Sequence, residues 1–374
     1  MQILLGIIFH FIGGFASGSF YMPYKKVKSW HWESYWIIGG LFSWLIVPPL
    51  AAYLTVPGFA EIIRNTPWEV IRYTMLFGVL WGVGGLTYGL GVRYLGMSLG
   101  NSVVLGFCSA FGALVPSLYY NLYPAPGKTS FRDLLNNPWG RMVLAGVLVC
   151  LLGIYICGRA GMSKEKELPD AEKKKSVAEF SLVKGLVVAI ISGILSACFN
   201  FGIEAGKPMA EAAVRAGFNP LYQNNVIYIT LLWGGLSTNF IWCMLLNWRN
   251  KSYGDYTDKK SPLVRNYIFS ALAGTTWFLQ FFFYGMGESK LGNGASSWIL
   301  HMAFIILVAN MWGILLKEWK GVSKKTTVTI SLGILIIIVS VLLVGYGNAQ
   351  KPKETSALAP AGGAAWSMHQ QTSK

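Results

Sequence analysis

Charged residues are scarce in this chain. Asp, Glu, Lys and Arg together make up 13% of the 374 residues, whereas soluble domains carry roughly 25%. Hydrophobic residues supply 53% of the sequence. Several apolar runs reach about 20 residues, the length that crosses the hydrocarbon core of a bilayer as a helix. The composition therefore predicts a membrane protein and excludes an ordinary soluble domain.

Acidic residues are especially few, since 16 Asp and Glu stand against 31 Lys and Arg and leave a net charge of +15. A basic protein can bind nucleic acid, but here the basic residues lie between the apolar runs and form no basic domain. Positively charged loops on the cytoplasmic face of a membrane explain them better. We therefore expect the lipid bilayer as a partner and no nucleic acid.

Motifs of nucleotide and metal chemistry are missing as well. The sequence holds no phosphate-binding GxxxxGKS/T, so nothing argues for ATP-driven pumping, and no HExxH or CxxC that would argue for metal. We expect no cofactor, no metal site and no enzyme. Five cysteines lie inside or at the edges of apolar runs without paired spacing, and we interpret them as small core residues. They are Cys108, Cys150, Cys157, Cys198 and Cys243.

Ten apolar stretches are predicted as membrane-spanning helices, with proline, glycine and charged residues marking their ends. The first stretch lacks the basic start and the cleavage site of a signal peptide, so we keep it as a mature span. The predicted spans are 2–22, 34–56, 73–92, 98–122, 140–158, 182–203, 221–246, 266–286, 294–316 and 327–346. The segment 204–219 is too polar to span and predicts a short amphipathic helix at the interface, begun by Pro208 and stopped by Gly217.

The basic residues predict the orientation. Of the 31 Lys and Arg, 20 lie in the odd-numbered loops and 11 in the even-numbered loops and the C-terminal tail. The excess places the odd loops in the cytoplasm and both termini in the periplasm. The charged segment 159–181 is expected to be a cytoplasmic linker between two halves, 1–158 and 182–346. The Ala-, Pro-, Gly- and Ser-rich tail, 347–374, is expected to be disordered.

The two halves contain an internal repeat. GIIFHFIGGFASGSF at 6–20 aligns without gaps on GLVVAIISGILSACF at 185–199, and WGVGGLTYGLGVRYLG at 81–96 aligns on WFLQFFFYGMGESKLG at 277–292. Each half holds five predicted spans, an odd number, so the second half must enter the membrane from the opposite side. This is an inverted repeat, the architecture of many secondary transporters, with the substrate site near the middle of the membrane.

Titratable residues inside spans are costly and usually functional. His10 lies midway along the first span and His301 a third of the way into the ninth, and a histidine can exchange a proton near neutral pH. The alternative is a packed histidine bonded to a carbonyl. Glu204 is the best carboxylate for proton binding if it faces a cavity, and Arg93 and Lys207 are candidate gating residues. Charges at such boundaries are otherwise solvated.

The stretch 277–301 is the strongest candidate for a substrate site. Sugar recognition combines amide and hydroxyl groups with an aromatic face, and small-molecule sites in general pair an apolar wall with a few polar groups. Taken singly, such aromatics are more often packing residues or interfacial anchors. The candidate polar groups are Gln280, Asn200, Asn101 and Tyr284. The candidate aromatic faces are Trp277, Trp81, Tyr88 and Trp298.

Seven segments, in order along the chain, resemble the L-rhamnose-proton symporter family of the drug/metabolite transporter superfamily. They are FYMPYKKVKSWHWE (20–33), YGLGVRYLGMSLG (88–100), GRMVLAGVLV (140–149), AGKPMAEAA (205–213), WFLQFFFYGMG (277–287), SWILHMAF (297–304) and LKEW (316–319). The resemblance implies the drug/metabolite transporter fold and a carrier of the bacterial inner membrane. Such a carrier takes up L-rhamnose, with L-lyxose and L-mannose as related substrates, together with a proton.

Most of the candidate residues lie in or beside these segments. Glu204 departs from the family pattern, which has an amide just before the AKPM-like run, so the resemblance gives it no proton role. Two alternatives stay open at the level of the sequence. One is another metabolite carrier or exporter of the same superfamily. The other is a membrane enzyme with His301 as its base.

Overall fold

The computed structural model describes residues 1–95, 97–124, 128–167, 182–315 and 321–352. Within these ranges the regular elements are all helices. Long helices occupy each of the ten predicted spans, and we number them α1 to α10. They are α1 Gln2–Ser19, α2 Trp32–Thr55, α3 Trp68–Leu95, α4 Met97–Leu122, α5 Pro138–Glu167, α6 Leu182–Ala205, α7 Asn225–Asn250, α8 Leu263–Leu291, α9 Gly294–Leu315 and α10 Lys324–Ala349.

The described part of the chain contains eight segments that are long and apolar enough to cross a membrane. A multi-pass helical membrane protein is therefore confirmed. The two remaining segments are α8, whose apolar run is interrupted by Asn266, Thr276 and Gln280, and α9, whose apolar part covers Ser296–Ala309. These are the two helices that carry the stretch singled out in the sequence.

Helix α5 continues nine residues past the end of its predicted span, to Glu167. Its end is tied to the start of α10, because the Glu167 carboxylate accepts hydrogen bonds from the Ser323 N–H (2.5 Å) and hydroxyl (2.7 Å) and from Thr326 (2.7 Å). The bond from the Ser323 backbone, followed by the two hydroxyls, lowers the pKa of Glu167. The rest of the predicted linker (168–181), the LKEW segment (316–319) and the tail from 353 lie outside the described residues.

Helix α2 is interrupted by a π-helical turn, Leu41–Ile46. Pro48 and Pro49 follow it and lack the N–H groups that would bond to the carbonyls of Trp44 and Leu45, so the regular hydrogen-bond ladder cannot continue there. Trp44 is 3% exposed and its indole packs against Gly40. The turn thus places a buried indole in the centre of the helix bundle.

Short helices also lie between the long ones, among them Phe59–Asn65, Phe131–Asn136 and Lys207–Arg215. The third confirms the predicted short helix. Pro208 lies in its first turn, and Gly217 follows it with a φ of +88°, a left-handed conformation that favours glycine. Met209 and Ala213 are fully buried against the bundle, so this helix packs on protein along one face.

The long helices pack in pairs that correspond between the two halves. Helix α1 packs on α8 and α9, while α6, its counterpart in the repeat, packs on α3 and α4. Helix α2 packs on α8, while α7 packs on α3, and α5 packs on α10. Exchanging each of these helices with its counterpart five places along the chain therefore reproduces these contacts.

Two contacts show this correspondence at single residues. In the aligned repeats, Gly13 corresponds to Ser192 and Gln280 to Gly84. The Ser192 hydroxyl donates to the Gly84 carbonyl (2.8 Å), and a Cβ built on Gly13 would lie 2.8 Å from the Gln280 carbonyl. The backbones of the two helices therefore approach each other closely at both the α3–α6 and the α1–α8 interface.

Candidate substrate and proton site

Three rings from three helices meet in the interior. His10 on α1, Tyr284 on α8 and His301 on α9 are all 0% exposed. The His10 and His301 ring centroids are 6.0 Å apart, and the Tyr284 ring lies 5.4 Å from the first and 5.3 Å from the second. The structure therefore brings together two histidines that are 291 positions apart in the sequence.

The imidazole nitrogens of both histidines have no hydrogen-bond partner among the described residues. A buried polar group without a partner is costly, which explains why such groups are rare in packed interiors. The alternative of a histidine bonded to a neighbouring carbonyl is not what the structure has at either position. The four nitrogens are thus free to bind a proton or the hydroxyl groups of a solute.

Two glycines make room for the two imidazoles. A Cβ on Gly287 would lie 2.7 Å from the His10 Nε2 atom, and a Cβ on Gly13 would lie 3.1 Å from a carbon of the His301 ring. Each histidine therefore rests against the bare backbone of a neighbouring helix. Close helix approach through glycine is what membrane bundles use where side chains must fit between backbones.

Polar groups continue from this cluster toward α4 and α6. The Tyr284 hydroxyl donates to the Asn200 side-chain oxygen (3.3 Å), and the Asn200 amide donates to the Gly112 carbonyl (2.6 Å). The Trp298 indole N–H donates to the Cys108 carbonyl (3.0 Å), and its ring packs directly on Gly112. These hydrogen bonds hold the Tyr284 hydroxyl, the Asn200 amide and the Trp298 indole close to one another. The ring centroids of Tyr284 and Trp298 are 5.9 Å apart.

Aromatic rings form the wall on the other side. Phe199 stacks on Phe281 with centroids 3.9 Å apart, and Trp277 meets Phe281 at 5.0 Å. Trp81 lies 5.5 Å from Trp277, and both contact Trp44 from the π-helical turn of α2. Trp277 and Trp81 occupy the same position in the aligned repeats. Aromatic faces of this kind suit the apolar side of a sugar ring.

Gln280 is 3% exposed and lies one helical turn before Tyr284. Its amide nitrogen donates to the Trp277 carbonyl of its own helix (2.9 Å). This local bond involves only one of the donors and acceptors of the amide. The rest of the group remains available to a solute in the same cluster.

Four buried or partly buried charges lie at one end of this site. Lys207 donates to the Glu288 carboxylate (2.6 Å), which also accepts from Asn224 (2.5 Å). Glu204 accepts from Lys128 (3.2 Å) and from the Tyr120 hydroxyl (3.1 Å). The side chains of Lys207 and Glu288 are 16% and 6% exposed. Lys207 and Glu204 are therefore ion-paired inside the protein and are not solvated charges.

The structure separates one candidate, Tyr88, from this group. Tyr88, which corresponds to Tyr284 in the repeat, packs in a small apolar cluster with Ala189 and Val104. Ala189 corresponds to His10, so the equivalent α3–α6 interface lacks the imidazole. The side chains of Asn101 and Arg93 lie outside the described residues, although both positions fall within helices.

Several residues of the site were not singled out in the sequence: Asn224, Lys128, Tyr120 and Trp44. Glu288 was considered there only as a charge at the end of the eighth span. One signal was present, since Gln280, Tyr284 and Glu288 recur every four residues and so lie on one face of α8. Lys128 offered no such signal, because it lies in a loop 76 residues before its partner Glu204.

A second polar network joins two loops at the other end of the bundle. Asp255 accepts hydrogen bonds from the His31 N–H (2.7 Å), the Ser34 hydroxyl (2.7 Å) and the His31 ring (3.0 Å). Burial raises the pKa of Asp255, but these hydrogen bonds outweigh it, so the net pKa lies below its ordinary value. Arg265 and Asn266 add bonds to the carbonyls of Lys26 and Lys28.

Replacing Asp255 with alanine should loosen this junction. The His31 and Ser34 donors lose their acceptor, at a cost of about 1–3 kcal/mol. Because the folded-state pKa is lowered, the carboxylate stabilises the junction at neutral pH and loses this effect only as acid protonates it below pH 3.8. Hydrogen–deuterium exchange across 26–34 should become faster at neutral pH.

The matched control is Asp258→Ala, because Asp258 is exposed and its carboxylate accepts only a local bond from the Lys260 N–H. Exchange across 26–34 should be unchanged in this variant. Equal exchange rates in Asp255→Ala and the native protein would show that the loops are held together by other contacts.

Fold and site together define a class of protein. Buried titratable and amide groups converge between helices of a multi-pass bundle and lie against an aromatic wall, which is the arrangement of a membrane carrier. Comparison with known proteins gives the family. A family profile described as L-rhamnose-proton symport protein (RhaT) matches residues 1–350. This chain belongs to the L-rhamnose-proton symport family.

Individual relatives agree with the profile. An L-rhamnose-proton symporter of Yersinia pestis (strain Pestoides F) is 40% identical over 352 residues, covering 93% of this chain and 98% of the relative. One of Yersinia pseudotuberculosis serotype O:3 (strain YPIII) matches to the same extent. The family is one of proton symporters, so the resemblance seen in the sequence is confirmed. The alternative of a membrane enzyme is set aside.

Proposed function

We propose that this protein takes up L-rhamnose together with a proton by alternating access. The observation that carries the proposal is the buried His10–Tyr284–His301 cluster, whose imidazole nitrogens are unpartnered among the described residues and which lies beside an amide-and-aromatic wall. A solute with several hydroxyl groups can satisfy those nitrogens, and an imidazole can carry the coupled proton. L-Lyxose and L-mannose are the related sugars to test beside L-rhamnose.

The roles divide between neighbouring parts of the site. His301 and His10 bind the proton, since both are buried and both have free nitrogens. The amides, the tyrosine hydroxyl and the aromatic faces hold the sugar. The residues assigned to the sugar are Gln280, Tyr284, Trp277, Trp298, Asn200 and Trp81, with Tyr88 and Asn101 as further candidates.

Gating is assigned to the charges at the end of the site. Lys207 pairs with Glu288 and thereby fastens the short helix Lys207–Arg215 to α8. Glu204, held by Lys128, is the carboxylate through which a proton enters. Arg93, near the C-terminal end of α3, is a further candidate for a gating residue.

The architecture proposed for this mechanism is a ten-helix inverted repeat with the drug/metabolite transporter fold. The correspondence of helix pairs supports it, as do the matching approaches at Gly13 and Ser192. Residues 1–158 and 182–346 form the two repeats, 159–181 the cytoplasmic linker and 347–374 the tail. The excess of basic residues in the odd loops supports an inner-membrane protein with periplasmic termini.

The test is a pH measurement. Energy-depleted cells that express the protein should make an unbuffered medium more alkaline when L-rhamnose is added, because each sugar carries a proton inward. Cells without the protein are the control. A carrier that moves the sugar without a proton would accumulate label to equilibrium and leave the pH of the medium unchanged, and this result would contradict the proposal.

A further inference from the structure

Glu288 links the sugar site to the charged end of the bundle. Gln280, Tyr284 and Glu288 follow one another at four-residue intervals on one face of α8 and are 3%, 0% and 5% exposed. The first two belong to the proposed sugar site. The third is a carboxylate at the edge of the same site, and substrate binding alone does not explain it.

The Glu288 carboxylate is almost completely buried, and its neighbours stabilise its negative charge. Its carboxylate accepts from Lys207 (2.6 Å) and Asn224 (2.5 Å), and its side chain is 6% exposed. A buried ion pair is costly to keep and strongly disrupted by the loss of one partner. A proton bound to Glu288 would remove its charge and hence the attraction that holds Lys207.

A second carboxylate approaches Glu288 from the more accessible side. A Cβ built on Gly294 would lie 2.9 Å from a Glu204 oxygen and 3.3 Å from a Glu288 oxygen, so the two carboxylates border the same point. The Glu204 side chain is 16% exposed, compared with 6% for Glu288. Its partner Lys128 is more exposed again, at 26%. Exposure thus decreases stepwise from Lys128 to Glu288.

The histidine pair contacts residues of α8 that neighbour Glu288. Gly287, the residue before it, faces the His10 ring, whose Nε2 would lie 2.7 Å from a Cβ at that position. Tyr284, one turn earlier, lies 5.4 Å from His10 and 5.3 Å from His301. Tyr284, whose ring contacts both imidazoles, therefore lies one turn from Glu288 on the same face of α8.

We propose that Glu288 holds the transported proton between its entry at Glu204 and its arrival at His10 and His301. The proposal rests on the proposed proton-coupled uptake. The proton leaves water on the predicted periplasmic side, binds the Glu288 carboxylate, passes to an imidazole nitrogen and leaves on the cytoplasmic side. While the proton is on Glu288 its ion pair with Lys207 is lost, which frees the short helix Lys207–Arg215 and opens this end of the site.

The titratable and charged groups that face Glu288 come from each neighbouring element. They are Lys207 on the short helix, Glu204 on α6 with its partner Lys128, Tyr228 on α7 and Tyr284 on α8 itself. Beyond Tyr284 lie His10 on α1 and His301 on α9. Within the described part of the chain, Lys207 alone makes a direct ion pair with Glu288. Lys207 is therefore the group whose removal should most change the pH dependence of transport.

The test compares gradient-driven accumulation with counterflow exchange of radiolabelled L-rhamnose in proteoliposomes. Glu288→Gln should exchange sugar at a rate close to that of the native protein but should not accumulate it. A gradient of one pH unit, about 1.4 kcal/mol, otherwise supports roughly tenfold accumulation for one proton per sugar. Glu211→Gln is the matched control, because Glu211 lies exposed on the same short helix and its ion-pair partner among the described residues is the exposed Arg215.

Two further variants separate a proton site from a structural anchor. Glu288→Asp keeps a carboxylate and should retain coupling. Lys207→Gln removes the anchor but leaves the carboxylate, and should move the half-maximal rate of uptake to a higher external pH. If Glu288 only holds Lys207, Glu288→Gln and Lys207→Gln should instead lose accumulation and exchange to the same extent, which would overturn the proposal.

Retained accumulation in Glu288→Gln would also overturn it. These failures differ from failure of the proposed function itself, in which the native protein shows no proton movement with the sugar. If Glu288→Gln does not fold in detergent, Glu288→Asp and the pH profile of Lys207→Gln decide the question. Two results together would contradict a proton-binding role of Glu288. They are an unchanged pH profile of uptake in Lys207→Gln and the loss of proton coupling in Glu288→Asp.

Discussion

His301→Asn should abolish accumulation of L-rhamnose against its gradient while leaving counterflow exchange largely intact. Asparagine retains hydrogen-bonding capacity but cannot take up a proton near neutral pH, so coupling is lost and binding is kept. Accumulation should fall from roughly tenfold, at a gradient of one pH unit, to the equilibrium level. The measurement is uptake and exchange of radiolabelled sugar in the same proteoliposomes.

His31→Asn provides the control, because His31 is a half-exposed histidine at the opposite end of the bundle. Accumulation should survive that change. An equal loss of accumulation and exchange in His301→Asn would assign His301 to binding or packing. The His301 ring packs against Tyr284 and Gly13, so the substitution would then act by disturbing this packing and not by removing a proton site.

Gln280→Ala should weaken L-rhamnose binding by a factor of about 10 to 100, since one or two hydrogen bonds to a buried amide contribute about 1–3 kcal/mol. The helix should persist, because the lost protein contact is one local bond to the Trp277 carbonyl. Titration calorimetry on the detergent-purified protein measures the affinity, and size-exclusion chromatography confirms that it remains folded.

Gln2→Ala removes an amide that is exposed in the first turn of α1 and should not change binding. Unchanged affinity in Gln280→Ala would remove Gln280 from the sugar site. The aromatic wall of Phe281 and Trp277 would then have to supply recognition without it.

The sequence was sufficient for the helices. Long apolar runs and their Pro and Gly boundaries place each helix within a few residues, because every backbone polar group in a bilayer must be satisfied inside a helix. Helix ends that are fixed by tertiary contacts could not be predicted from the sequence in this way. Helix α5 continues to Glu167 because Ser323 and Thr326, more than 150 residues away, bind its carboxylate.

The position of the site required the structure. Tyr88 and Tyr284 occupy the same place in the repeat, and the sequence pattern makes them equal candidates. Their partners differ, however, because Tyr284 faces His10 whereas Tyr88 packs with Ala189. The change from His10 to Ala189 between the repeats thus leaves the α3–α6 interface without the imidazole that faces Tyr284 at the α1–α8 interface.

Charges near helix ends were the hardest to interpret. Glu204 and Lys207 follow an apolar span, where solvated side chains are the usual outcome. The short helix Lys207–Arg215 packs Met209 and Ala213 into the bundle and so carries Lys207 inward to Glu288. No local pattern reports this, since it depends on where a nine-residue helix docks.

The most direct measurement is accumulation of radiolabelled L-rhamnose in proteoliposomes of the purified protein with an acidic exterior. We expect the internal concentration to exceed the external one by roughly tenfold for each pH unit of gradient at one proton per sugar. A protonophore should return it to equilibrium. Equal internal and external concentrations, with or without the protonophore, would contradict proton-coupled uptake.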